Sequence, residues 1–166
     1  MALALSRTVA PAKKPTKLRI GTTTATGLKL RGVEDLTTTY AHIFRNPDTI
    51  TSGLPVKLVS PLAASMGLGA EELARRIGIS RSSFHRWVKK PNTPLSAQSS
   101  DALARFGVLM AKAIETFDGD EGAARQWLST AQPGLGNAVP LELAQTTPGF
   151  REVEKLLTRI DFGVYA

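Results

Sequence analysis

Six polar side chains between positions 80 and 89 have the types and the spacing needed to read a nucleic-acid duplex. They are Ser80, Arg81, Ser82, His85, Arg86 and Lys89. On an α-helix these positions share one outward face. Arginine can donate two parallel hydrogen bonds to N7 and O6 of guanine, and serines at a helix N-terminus can bind phosphate. Lys89 can reach a base or the backbone, as can His85, although an exposed histidine also fits plain solvated surface.

The residues around this face have the pattern of a helix-turn-helix. The sequence predicts a short helix over residues 70–77 and a second over residues 81–89, with Ser80 as the N-cap of the second. Ala74 supplies the small residue that close packing of the helices requires, and Gly78 supplies the residue that tolerates a positive φ in the turn. The second helix would enter the major groove. The apolar residues expected to hold the two helices together are Leu73, Ile77, Ile79, Phe84 and Trp87.

The distribution of charge favours a polyanionic partner. The chain has 166 residues and a formal net charge of +7. Residues 1–32 contain seven Lys or Arg and no acid, and residues 70–95 contain six basic and two acidic side chains. Residues 96–166 reverse the balance, with six basic and nine acidic side chains. Basic segments of this kind suit DNA, although residues 1–32 equally fit a solvated flexible arm.

The composition argues against a disulfide-bonded protein, a metalloprotein, an enzyme and a membrane protein. Cysteine is absent, and the two histidines, His42 and His85, are far apart, so we expect no disulfide, metal or other cofactor. Neither a phosphate-binding loop nor a Gly-x-Ser-x-Gly elbow is present, so we expect no enzyme. The acids between residues 118 and 121 fit a helix junction better than a calcium loop. Without an apolar run long enough to span a bilayer, the protein is expected to be cytoplasmic.

The remaining apolar periodicity predicts an all-α fold. Segments 17–20 and 28–31 each fit a short strand within an otherwise irregular arm, so the fold is expected to begin at residue 33. We predict a basic, flexible arm over residues 1–32, N-terminal helices and the helix-turn-helix domain over residues 33–95, and a small helical domain over residues 96–166. The predicted helices outside the helix-turn-helix span residues 33–46, 54–66 with an interruption at 60–61, 99 or 100 to 118, 121–130, 140–145 and 148–162.

The final residues of the chain are suited to a partner's cleft. Gly163 should end the last helix and leave Val164, Tyr165 and Ala166 as a free end. An apolar, aromatic end can fill a cleft, and its carboxylate can pair with an arginine there. Tyr165 can alternatively fold back onto the helical core. Arg159 in the last helix fits either a partner contact or a solvated surface.

A series of short segments occurs in a fixed order from residue 53 onward. They are Gly53-Leu54-Pro55, Glu72-Leu73-Ala74, Gly78-Ile79-Ser80-Arg81, Leu95-Ser96, Ser100-Asp101, Arg105, Phe117, Gly119, Ala124, Trp127-Leu128, Leu135-Gly136, Pro140-Leu141-Glu142-Leu143, Thr146, Gly149, Val153, Leu156-Leu157, Arg159-Ile160 and Gly163-Val164-Tyr165-Ala166. This series, and its ending above all, resembles the Xre/MbcA/ParS family of bacterial antitoxins. The resemblance covers about two-thirds of the chain.

The resemblance implies an antitoxin of a type II toxin–antitoxin system. Its helix-turn-helix would bind operator DNA and repress the shared operon, and its C-terminal domain would bind a toxin, usually a RES-domain protein that consumes NAD or transfers ADP-ribose. The family tends to form dimers and to place its C-terminal end at or in the toxin's active-site cleft. The toxin-binding residues implied here are Arg159, Gly163, Val164, Tyr165 and Ala166.

Departures from the family pattern keep two other functions open. Ser82 and Trp87 stand where family members often carry basic residues, and the loop over residues 136–139 is less glycine-rich than expected. The DNA affinity and the target sequence therefore remain open. One alternative is a stand-alone transcriptional regulator whose C-terminal half only dimerises. The other is a protein-interaction module whose helix-turn-helix has lost its function.

Overall fold

The helices of this protein are seen in a computed structural model that describes residues 43–163. The predicted arm over residues 1–32, its two candidate strands, most of the helix predicted over residues 33–46 and the last three residues lie outside the described residues. Ile43 and Phe44 are helical and Arg45 is in a turn, which agrees with the predicted end of that helix near residue 46.

The described residues are helical and contain no β-strand, as the all-α prediction required. The helices are α1 (Pro47–Ser52), α2 (Val59–Ser65), α3 (Ala70–Arg76), α4 (Arg81–Val88), α5 (Ala97–Thr116), α6 (Glu121–Ser129), α7 (Pro140–Leu143) and α8 (Thr147–Asp161), with 3-10 turns at Val56–Leu58 and Pro133–Leu135. The predicted helices α3, α4, α6, α7 and α8 therefore end within about two residues of the observed bounds.

Helix α5 is the centre of the fold. It is 20 residues long, and its buried side chains occur on more than one face, so neighbours must cover it from several sides. Helices α1, α2, α6 and α8 all contact it. The buried residues of α5 are Ser99, Ser100, Ala102, Leu103, Ala104, Phe106, Gly107, Leu109, Met110, Ala111, Ala113 and Ile114. Their apolar members join the other helices in one continuous hydrophobic core.

The start of α5 differs from the prediction. Ser99 or Ser100 was the expected N-cap, but Ser96 caps the helix and its hydroxyl accepts a hydrogen bond from the Ser99 amide at 3.1 Å. Ser100 is fully buried instead, and its hydroxyl accepts a hydrogen bond from the backbone amide of Leu54 at 2.9 Å. The prediction was wrong because several closely spaced serines can each cap a helix, and burial against the Leu54 segment decides between them.

Two further differences occur before the helix-turn-helix. Helix α1 was not predicted, because Asn46 and Pro47 were interpreted only as a helix end, whereas Asn46 also caps the next helix and Pro47 opens it. The helix predicted from residue 54 becomes a 3-10 turn followed by α2, which begins at Val59. Pro61 then lies in the first turn of α2, where its missing N–H leaves no helical hydrogen bond unmade.

Removing the Ser100 hydroxyl tests the packing of the Leu54 segment on α5. Ser100→Ala leaves a buried Leu54 amide without its acceptor, so we expect the free energy of unfolding to fall by about 1–3 kcal/mol. Urea denaturation followed by circular dichroism measures this change. Ser60→Ala is the control, because Ser60 is exposed on α2 and its replacement should leave stability within about 0.5 kcal/mol of the wild type. Equal stabilities for the two variants would contradict this account of Ser100.

Candidate nucleic-acid interface and C-terminal end

Helices α3 and α4 form the predicted helix-turn-helix. Gly78 adopts a φ of +81° in the turn, and a Cβ there would meet nothing within 4 Å, so glycine is favoured for its backbone conformation alone. The hydroxyl of Ser80 accepts a hydrogen bond from the Ser83 amide at 3.2 Å, which confirms the predicted N-cap. Ala74 is buried where the helices meet. Of the five apolar residues expected to hold the pair, Leu73, Ile77, Ile79 and Phe84 are buried and Trp87 is half-buried against the core.

The six predicted DNA contacts all lie on the exposed side of this unit. Helix α4 contacts α3 and the 3-10 turn before α2, and its outer face is open. At its N-terminus, the hydroxyls of Ser80 and Ser82 lie 3.2 Å apart, and Ser80 also donates to Ser83 at 3.0 Å. A phosphate at this point would meet hydroxyl groups as well as the free amides of the first helical turn.

A carboxylate from α3 reaches across to two of the six residues. Glu71 Oε2 lies 3.0 Å from Arg81 Nε, and Glu71 Oε1 lies 2.8 Å from His85 Nε2. Glu71 lies in the first turn of α3, where acids complement the helix dipole, and its neighbours in sequence indicate no other role. Its contacts lie 10 and 14 residues further along the chain, and no local spacing rule predicts them.

The other basic residues divide into exposed and bridging groups. Arg86 and Lys89 are exposed and make no ion pair with any residue in the range 43–163. The same is true of Arg75 on α3. Arg76 instead pairs with Glu72 at 2.8 Å and donates to the backbone carbonyl of Leu141 at 3.3 Å. Arg76 therefore joins the helix-turn-helix to α7.

The end of α8 presents a basic and aromatic face. Gly163, with a φ of +68°, follows the helix, and its amide bonds to the Ile160 carbonyl, so the predicted helix end is confirmed. Arg159 is exposed in the last turn, on the same face as Arg151 and Lys155 at spacings of four residues. Phe162 was not singled out from the sequence, yet its side chain is 75% exposed. The predicted contacts Val164, Tyr165 and Ala166 lie outside the described residues.

One carboxyl on this face has a shifted pKa. The ammonium group of Lys155 donates a hydrogen bond to Glu152 Oε1 at 2.9 Å and lowers the pKa of Glu152, with a smaller contribution from the charge of Arg159. The acid is thus held in its ionised form by the basic residues around it. Helix α8 as a whole has no net charge, with three basic and three acidic side chains, but its basic residues are grouped on one face.

Residues 43–163 contain neither a metal-binding cluster nor a membrane-spanning helix. No group of three or more His, Cys, Asp or Glu side chains in that range is placed to hold a metal ion. None of the helices described there has the length and hydrophobicity required to cross a membrane.

Comparison with known proteins identifies the two halves of the chain. Residues 47–107 match the family described as the antitoxin Xre-like helix-turn-helix domain, and residues 112–163 match the antitoxin Xre/MbcA/ParS C-terminal toxin-binding domain. The chain is 31% identical to an Antitoxin Xre of Yersinia enterocolitica over 119 residues, which is 72% of this chain and 80% of that relative. It is 30% identical to an Antitoxin Xre of Photorhabdus laumondii over 115 residues, which is 69% of this chain and 77% of that relative. The two matched ranges adjoin within α5.

The basic face of α8 can be tested through Glu152. Lys155→Gln removes the hydrogen bond and the positive charge that stabilise the Glu152 carboxylate, so we expect the pKa of Glu152 to rise toward its ordinary value. Titration of the Glu152 side-chain carboxyl carbon by NMR measures the change. Arg159→Gln should raise this pKa by less, and Arg151→Gln, the control, should leave it unaltered. A Glu152 pKa that is unchanged in Lys155→Gln would contradict the observed ion pair.

Proposed function

Because the chain belongs to the Xre antitoxin family, we propose that it neutralises a cognate RES-domain toxin through its C-terminal domain and tail, and represses its own operon through its helix-turn-helix. We propose further that it acts in the cytoplasm as the homodimeric antitoxin of a type II system. The single observation that carries this proposal is that one chain combines an exposed cationic face on α4 with a matched toxin-binding domain, and that the two matched ranges meet within α5.

The proposed DNA contacts are the six exposed residues on and before α4. Arg86 has no ion pair within the described range, so its guanidinium is available to donate to guanine. Lys89 follows α4 and is available for a phosphate or a base. The serine hydroxyls at the helix N-terminus would bind phosphate, Ser82 directly and Ser80 by exchanging its hydrogen bond to Ser83. Ser82 and the half-buried Trp87 leave fewer cations on this face than family members often have. A protein of this kind would bind two half-sites of an operator as a dimer.

The proposed toxin contacts lie at the end of α8. Arg159 is exposed there, and the exposed Phe162 adds an aromatic side chain directly before Gly163. The positive φ of Gly163 turns the chain away from the helical path. We propose that Val164, Tyr165 and Ala166 then enter the toxin's cleft, where the aromatic ring of Tyr165 fills apolar space. Aromatic and arginine side chains are the residue types that most often dominate binding energy at protein interfaces.

The DNA-reading role is tested with Arg86→Ala. We expect affinity for DNA containing the operon's own promoter to weaken by roughly 1–3 kcal/mol, because one base-specific contact is lost. A gel-shift titration at fixed salt measures the change, and wild-type binding should also weaken steeply as salt rises. Arg151→Ala is the matched control, since it removes another exposed arginine, which lies on α8. If both variants bind as tightly as the wild type, Arg86 does not read the operator.

The toxin-binding role is tested by deleting Tyr165 and Ala166. The neighbouring gene is expressed in bacteria alone, with the full chain and with the shortened chain, and growth is followed. We expect the neighbour to arrest growth, the full chain to restore it and the shortened chain to fail. Arg86→Ala should restore growth fully, because it alters only the DNA-reading face, and unchanged promoter binding will show that the shortened chain is folded. A harmless neighbour would instead favour a stand-alone regulator.

A further inference from the structure

One acidic side chain, Glu71, is shared by two of the proposed DNA-reading residues. Its two carboxylate oxygens are divided between them, with Oε2 at 3.0 Å from Arg81 Nε and Oε1 at 2.8 Å from His85 Nε2. Resting on the DNA-binding role proposed above, we infer that Glu71 sets the pattern of hydrogen-bond donors and acceptors that α4 presents to the bases. Glu71 is therefore a positioning residue that determines which operator sequence is read, without touching the bases itself.

The contact with Arg81 determines which edge of the guanidinium is available. Nε is the guanidinium nitrogen that lies nearest Glu71, so the two terminal nitrogens remain to donate outward. The side chain of Arg81 is 79% exposed, and this free edge can therefore approach a base. Two parallel donors match N7 and O6 of guanine. A guanidinium held at Nε also loses less rotational freedom on binding than an unrestrained one.

The contact with His85 determines which ring nitrogen donates. A carboxylate oxygen at 2.8 Å favours a proton on Nε2, because two lone pairs would repel each other at that distance, and in the tautomer protonated at Nε2 the other nitrogen, Nδ1, is an acceptor. An acceptor suits the exocyclic amino groups of adenine and cytosine in the major groove, and it does not suit the carbonyl oxygens of guanine and thymine. The ring is oriented further by an edge contact with Phe84, whose centroid lies 6.4 Å away.

The placement of Glu71 favours this role over a contribution to stability. Both contacts are exposed, and exposed charged pairs typically contribute little to folding stability. Glu71 also lies in the first turn of α3, where the helix dipole stabilises its negative charge. Its charge offsets part of the positive charge on the reading face, which weakens sequence-independent attraction to phosphates and gives base contacts more weight.

Replacing Glu71 by glutamine separates the two contacts. Both oxygens of a carboxylate can accept, whereas an amide has one accepting oxygen and one donating nitrogen. If the amide oxygen faces Arg81, the amide nitrogen faces His85, which must then accept at Nε2 and donate from Nδ1. If the amide is reversed, two donors meet at Arg81 and its guanidinium is released. Either arrangement alters the base preference of one of the two side chains.

The experiment selects binding sequences from DNA duplexes whose operator positions are randomised, using the full-length wild type, Glu71→Gln and Glu72→Gln. Glu72→Gln is the matched control, because it makes the same change at the adjacent acid, which pairs with Arg76 instead. We expect the wild type and Glu72→Gln to enrich the same sequence. Glu71→Gln should reduce discrimination by about tenfold at one or two base pairs, the size expected for one lost base contact. Thermal unfolding should change little, and by similar amounts, in Glu71→Gln and Glu72→Gln, because both acids lie in the first turn of α3.

Three results would overturn the inference. Two of them leave the proposed DNA binding intact, and the third removes it as well. Enrichment of the wild-type sequence by Glu71→Gln would show that Glu71 does not set the base preference, while the proposed DNA binding would stand. An equal shift in Glu71→Gln and Glu72→Gln would show a general effect of charge, again with DNA binding intact. A wild type that enriches no sequence would remove the proposed DNA-reading function and this inference with it.

Discussion

The burial of α5 is the constraint on which the rest of this structure depends. A 20-residue helix with buried side chains on several faces cannot be stable at a surface, and each neighbouring helix covers part of it. Helices α1 and α2 cover it from the N-terminal half of the chain, and α6 and α8 cover it from the C-terminal half. Gly107 shows how close this packing is, because the ring of Phe44 occupies the space that a Cβ would need. The DNA-binding and toxin-binding parts of the family therefore share one hydrophobic core in this chain.

The candidate DNA-binding surface and the candidate toxin-binding surface are each the outer face of a helix whose inner face packs against the rest of the protein. Helix α4 packs on α3 and on the 3-10 turn at Val56–Leu58, which leaves its polar face open. Helix α8 packs on α5 and α7, which leaves open the face that bears Arg159 and Phe162. Two arginines also link the halves, since Arg76 donates to the Leu141 carbonyl and Arg125 donates to the Ser65 carbonyl at 2.9 Å. These links hold α3 against α7, and α6 against the end of α2.

The adjacent acids Glu71 and Glu72 in α3 contact different parts of the protein. Glu72 lies one turn before Arg76 and orients it toward the C-terminal half, whereas Glu71 points to the reading face and contacts Arg81 and His85. Consecutive helical residues are about 100° apart around the axis, so neighbours in sequence can face different surfaces. The division of roles between Glu71 and Glu72 is a direct consequence of that geometry.

The sequence by itself determined the local features of this protein. Gly78 and Ser80 fixed the turn and the second helix of the helix-turn-helix, and Gly163 fixed the end of α8, because such signals act through the backbone of a few residues. The tertiary structure alone decided that Ser96 caps α5, that Glu71 bridges Arg81 and His85, and that Phe162 is exposed. These features depend on which surfaces meet between residues far apart in the chain. The spacing of residues within one short segment cannot predict such contacts between distant segments.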